Sequence, residues 1–207
     1  MKIPFLKSLP NLLTLLRLIL IPVFVFFMIE PDIFSLRISL GIFIIAALTD
    51  FIDGKIARKY CAVSDTGKLL DPIADKILVM SALVMLLAQG RDIDGNILVP
   101  SWCVVMILAR ETWVNGLRSI AASLGIIVAA GWAGKLKTAM QMFAICLLLL
   151  QGISINVFDR EISVALLGAW LLILSIVVSY WGAVEYTLLV FSKLRGKRCK
   201  PLENDRN

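Results

Sequence analysis

Four aspartates at helical spacings carry the chemistry this sequence can perform. Asp50 and Asp53 stand three residues apart and Asp71 and Asp75 four apart, in the stretch DFIDGKIARKYCAVSDTGKLLDPIAD. On helices, each pair shares one face. Residues 54–70 separate the pairs and hold Gly54, Gly67 and several charges. They read as a tight cytosolic turn that folds the second pair back on the first. Four converging carboxylates repel one another unless cations neutralise them, and hard divalent ions with oxygen ligands are the natural answer. Two such ions can grip a diphosphate, polarise the phosphorus under attack and stabilise the departing phosphate. A further carboxylate role, taking a proton, would activate an alcohol. The pattern suits phosphoryl-type transfer. Neither a Walker A loop nor a kinase glycine loop is present, so ordinary nucleoside triphosphate binding is not expected.

The elements that must position these carboxylates are apolar. Of 207 residues, 59% are hydrophobic and the mean hydropathy is +0.89, against roughly 45–50% apolar residues in soluble domains. The excess falls in long runs, so the expected fold is an all-α integral membrane protein, one domain over residues 1–207. Stretches near 20 residues can cross a bilayer, and six qualify: residues 12–29, 36–57, 72–88, 98–117, 136–153 and 162–191. The last exceeds one bilayer thickness and must tilt or project. Turn chemistry marks the breaks at Glu30-Pro31-Asp32, at residues 91–96, and at Ser154-Ile155-Asn156 with Asp159-Arg160-Glu161. Residues 1–10 precede an apolar run too long for a signal peptide and without a clear cleavage site. They either lead into an uncleaved first span or form a short interfacial helix.

Charge sets the orientation. Lys2, Lys7, Lys55, Arg58, Lys59, Lys68, Arg118, Lys135, Lys137 and the tail from Lys193 fall on one side, with only Arg37, Arg91 and Arg160 on the other. Positive residues stay inside, so both termini and the aspartates are expected to face the cytoplasm. The basic tail, residues 193–207, is expected on anionic headgroups. The chain is net +6 with no histidine, which removes His-based zinc sites, Ser-His triads and imidazole acid–base chemistry. Cys61, Cys103, Cys146 and Cys199 lack C-x-x-C spacing and read as packing residues.

Written out, the aspartate region is D-x2-D-G-x2-A-R-x8-G-x3-D-x3-D. It resembles the signature of the CDP-alcohol phosphotransferases at Asp50, Asp53, Gly54, Ala57, Arg58, Gly67, Asp71 and Asp75. The resemblance implies six transmembrane helices, a homodimer, no nucleic-acid partner, and a cytoplasm-facing site with two divalent cations, Mg²⁺ or Mn²⁺. It makes all four aspartates metal ligands and Asp75 the base for the acceptor hydroxyl. Gly54, Ala57, Arg58, Ser64, Asp65, Thr66 and Gly67 become candidates for binding the CDP part of the donor.

A second region, ARETWVNGLRSIAASLGIIVAAGWAGKLKTAMQM, holds Arg110, Arg118, Lys135 and Lys137. Arg110 and Arg118 stand about two turns apart on nearly one face. Arg110 needs a partner beside an apolar helix; Glu111 is adjacent, but neighbours in sequence do not face each other on a helix. Positive-inside bias alone accounts for Lys135 and Lys137. The alternative is a cationic pocket for an acceptor that carries phosphate. Together with PNLLTLLRLILIPVF, this region resembles the phosphatidylglycerophosphate synthase branch of the family. That implies transfer from CDP-diacylglycerol to sn-glycerol 3-phosphate in a bacterial inner membrane, with the four cations on the acceptor phosphate. Thr14 and Arg17 are expected to border the cavity, although Asn11 and Thr14 equally suit capping or packing. Rival readings are a relative using inositol phosphate, a divalent-cation transporter, and a non-enzymatic scaffold.

Overall fold

The computed structural model describes the backbone of residues 4–60, 65–93, 95–125, 132–157 and 160–198, and side chains of residues 15–49, 76–93, 95–125, 132–156 and 161–195. Helices α1 (Pro4–Phe27), α2 (Ile33–Tyr60), α3 (Asp65–Gln89), α4 (Ser101–Ser123) and α5 (Trp132–Leu149) are followed by a hairpin and by α6 (Val164–Arg198). The six helices match the six apolar runs. Their ends differ in three places.

At the N-terminus, α1 runs unbroken from Pro4 through Pro10, so no separate interfacial helix precedes the first apolar run. Between the aspartate pairs, α2 continues to Tyr60 and α3 starts at Asp65. Most of the expected turn is therefore helix. Lys55, Ile56, Ala57, Arg58 and Lys59 contain no proline, and one glycine costs a helix only about 1 kcal/mol. Before α6, the expected loop is an antiparallel hairpin, β1 (Ser154–Val157) with β2 (Arg160–Ser163), in register from Ser154–Ser163 to Val157–Arg160.

Asp32 starts α2 by accepting the Ser35 amide on Oδ1 at 2.7 Å, which satisfies one of the unpaired N–H groups of the first turn. Gly90 and Gly152, both with φ near +75°, let the chain turn sharply soon after α3 and α5. Helix α1 packs on α2 and α3, whereas α4 and α5 pack on α6. The α5–α6 approach is close because α6 presents glycines: a Cβ on Gly168 would stand 2.9 Å from the Leu148 nitrogen, and one on Gly182 2.9 Å from Ala133 Cβ. Phe24, Leu36, Phe43, Leu83, Leu86 and Leu148 form the centre of the core.

The exterior is also apolar. Phe26, Phe34, Trp132, Trp170, Trp181 and Leu188 are each at least 64% exposed. An outer surface of this kind suits lipid rather than water. Among the described residues, Val164–Arg195 alone is long and apolar enough to cross a bilayer; Leu15–Phe27, Ile33–Thr49 and Lys76–Gln89 are shorter apolar stretches. Arg110 and Glu111 interrupt the apolar run of α4, and Lys135 and Lys137 that of α5.

At the end remote from the aspartates, Arg37, Gln89 and Gln151 link three helices through polar contacts. Arg37 of α2 donates to Leu149 O at 3.3 Å and Gln151 O at 2.9 Å, closing the end of α5. Gln89 and Gln151 exchange two amide hydrogen bonds, of 2.9 and 3.0 Å.

Candidate active site

Both aspartate pairs lie on unbroken helix, so their spacings do put Asp50 with Asp53 along α2 and Asp71 with Asp75 along α3. These two helices pack on each other. The side chains of Asp50, Asp53, Asp71 and Asp75 lie outside the described residues, as do those of Thr14, Ala57, Arg58, Asp65 and Thr66, the local surroundings of Gly54 and Gly67, and the whole of Ser64. The donor set itself fits hard divalent cations: four carboxylates, two from each of two adjacent helices, and no soft ligand in the motif.

The described part of the site begins one residue later, at Lys76. There α3, α4 and α5 enclose a cavity of about 110 Å³ whose polar lining is Lys76, Glu111, Lys137, Thr138 and Gln141. The face of α4 turned to it carries Glu111 and Asn115, one turn apart. Asn115 Oδ1 accepts from Lys76 Nζ at 2.7 Å. Glu111 Oε1 pairs with Lys137 Nζ and, at 3.0 Å, with Arg110 Nη1. Arg110 Nε also donates to Ser179 O of α6 at 3.1 Å. One carboxylate thus binds two cations. All three side chains are nearly buried, so each charge depends on the others.

This corrects the expectation that Glu111 could not serve Arg110. Sequence neighbours diverge at Cβ, but a guanidinium is long enough to swing back along the helix. It also divides the expected four-cation pocket. Arg110 and Lys137 meet through Glu111. Arg118 is exposed, stacked 5.9 Å over the Tyr186 ring of α6. Lys135 is exposed and apart from the cavity, because two residues along a helix turn it about 200° from Lys137. Arg17 is 1% exposed on α1 and does not line this cavity.

Lys76, Asn115 and Gln141 were not anticipated from sequence. The available signals were i,i+4 spacings, Glu111 to Asn115 and Lys137 to Gln141, which place polar pairs on single helix faces. On the other side of α4, an apolar groove of about 450 Å³ runs against α6, lined by Trp113, Tyr180, Val184 and Leu188 with Arg110 among them. Arg110 therefore borders the groove, while its partner Glu111 lines the cavity.

A family model for CDP-alcohol phosphatidyltransferase matches residues 7–181. The chain belongs to the CDP-alcohol phosphatidyltransferase family. Within that family it is similar to the CDP-diacylglycerol–glycerol-3-phosphate 3-phosphatidyltransferase of Bacillus subtilis (strain 168), at 38% identity over 84% of this chain and 92% of the relative. The proteins of that name from Rickettsia typhi (41% identity, 70% of this chain and 77% of the relative) and Salmonella paratyphi A (36%, 86% and 92%) are also similar. Membership carries the membrane-integral character of the family and agrees with the apolar exterior of the helices.

Proposed function

We propose that this enzyme transfers a phosphatidyl group from CDP-diacylglycerol to sn-glycerol 3-phosphate, giving phosphatidylglycerophosphate and CMP in phospholipid biosynthesis. The observation that carries the reading is its similarity, across most of the chain, to phosphatidyltransferases named for this donor and acceptor. The cationic cavity beside the aspartate end of α3 supports an acceptor that itself bears phosphate.

Asp50, Asp53, Asp71 and Asp75 would hold two divalent cations, Mg²⁺ or Mn²⁺, which would supply positive charge to neutralise the donor diphosphate and make its lipid-bearing phosphorus more electrophilic. Gly54, Ala57, Arg58 and residues 64–67 shape the niche for the cytidine nucleotide. Asp75 takes the proton from the primary hydroxyl of the acceptor. The hydroxyl oxygen bonds to the lipid-bearing phosphorus as the bond from that phosphorus to the bridging oxygen breaks, and CMP leaves with the electron pair. Lys76 and Lys137 attract the acceptor phosphate, with Arg110 and Arg118 adding positive potential nearby; Lys135 acts at most on the approach of the substrate. The α4–α6 groove keeps donor acyl chains in apolar surroundings, since each CH₂ moved into water costs about 0.8 kcal/mol.

In this reading residues 1–207 form one multi-pass domain of the bacterial inner membrane, crossing six times. Both termini, the site and the basic tail at 193–207 face the cytoplasm, and the protein works as a homodimer. Purified protein given CDP-diacylglycerol and a panel of acceptors tests the function. Chelator-sensitive CMP release with glycerol 3-phosphate supports it. Turnover only with inositol phosphate would reassign the acceptor, and cation flux without CMP release would point to a transporter instead.

A further inference from the structure

One face of α4 handles two lysines from two other helices in different ways. Glu111 pairs with Lys137 of α5, and Asn115, one turn further on, accepts from Lys76 of α3. Both lysines line the cavity enclosed by α3, α4 and α5. The Lys76–Asn115 bond is 2.7 Å long and joins two half-buried side chains 39 residues apart in sequence. A lysine stem is flexible enough to carry its ammonium away to water or to headgroups, where it keeps more rotamer freedom. Asn115 instead keeps it between α3 and α4, two of the three walls of the cavity. Helix tying does not explain the choice of partner. An apolar contact would join α3 to α4 with no charge to desolvate, and a carboxylate would make a stronger, charge-assisted bond to the lysine. An amide oxygen directs the ammonium and adds no counter-charge of its own. That combination suits a lysine that has to meet an anion.

We propose that Asn115 is a positioning residue for the acceptor. Its side-chain oxygen holds the Lys76 ammonium where it meets the phosphate of a small phosphorylated alcohol, on the residue that follows Asp75 along α3. The inference rests on the acceptor reading above and adds the group through which Lys76 is aimed. Helix α4 thereby sets both lysines, Lys137 through a carboxylate shared with Arg110 and Lys76 through a neutral amide. Holding the ammonium in place before the substrate arrives removes part of the ordering cost of binding.

The test compares wild type with Asn115→Leu and Asn115→Asp in full-length protein reconstituted in lipid. Asn115→Leu removes the oxygen and should raise the acceptor KM about tenfold, the scale of one hydrogen bond to a charged group. Asn115→Asp keeps the oxygen but adds negative charge. It should raise the acceptor KM at least as much, with no fall in thermal midpoint. The donor KM should stay unchanged in both. An acceptor KM for Asn115→Asp within about twofold of wild type overturns the proposal, because a bond that only ties helices is kept or strengthened by a carboxylate. That variant carries the decision if Asn115→Leu folds poorly. On a Lys76→Met background, Asn115→Leu should add nothing further to the acceptor KM; a full additional rise overturns the claim that Asn115 acts through Lys76. Inorganic phosphate titrated onto donor-free protein separates this idea from the wider reading. If both variants bind phosphate more weakly than wild type but wild type does not turn over glycerol 3-phosphate, the acceptor assignment fails and the positioning role stands. Equal phosphate binding by all three proteins overturns the positioning role whatever the activity.

Discussion

Two buried glutamines ten residues apart, Gln141 within α5 and Gln151 just beyond its end, behave in opposite ways. Gln151 is fully enclosed and fully engaged: it exchanges two bonds with Gln89 and gives its carbonyl to Arg37. Gln141 is almost as buried, yet its enclosed amide nitrogen finds no hydrogen-bond acceptor among the described residues. The first arrangement ties α2, α3 and α5 together. The second leaves an enclosed N–H that no described residue uses. Burial alone does not say how a polar group is used; the difference is whether another element brings it a partner.

Breaking the active end should have the largest effect. Asp75→Asn is expected to lower CMP release about a thousandfold, within the range for losing a general base, while CDP-diacylglycerol still binds. Near-normal turnover would remove Asp75 as the base. Glu111→Ala is next: it leaves Lys137 and Arg110 buried without their shared carboxylate, so unfolding free energy should fall by about 3 kcal/mol together with activity. A thermal or denaturant melt reads this, and Glu111→Gln should recover part of the loss.

At the paired end, Arg37→Ala should cost about 1–3 kcal/mol by leaving the carbonyls of Leu149 and Gln151 unserved, with both substrate KM values unchanged. A selective rise in acceptor KM would blur the division between the two ends. The smallest effect belongs to Asp32. The hydrogen bond from Ser35 holds its carboxyl below the usual carboxylate range. Its capping contribution is therefore present above the unfolded-state pKa of about 3.9 and disappears as pH falls through the lower folded-state value. Melting curves of wild type and Asp32→Ala should differ slightly at neutral pH and converge in acid.

Much of this was legible without coordinates. Six apolar runs gave six helices because hydrophobic length and periodicity are local properties, read residue by residue. The long final run became α6 for the same reason. The carboxylate spacings implied helical pairs, and α2 and α3 do run through them. The hairpin at Ser154–Ser163 was not foreseen, since four-residue strands carry little periodic signal and their turn residues read equally well as loop. The partners of Arg110 and Lys137 were also hidden. Sequence spacing describes where Cβ atoms point, whereas a guanidinium or an ammonium reaches its partner at the end of a long flexible chain.

The sequence by itself determined the chemical repertoire: carboxylates suited to hard cations, basic residues suited to phosphate, no imidazole, and long apolar runs suited to lipid. Only the tertiary structure decided which cations act together, sending Lys137 and Arg110 to Glu111, Arg118 to Tyr186 and Lys135 outward. It also revealed the unpaired amide of Gln141. The physical reason is that composition and spacing are fixed along one chain, while pairing depends on which faces of separate helices meet and how far each side chain can reach.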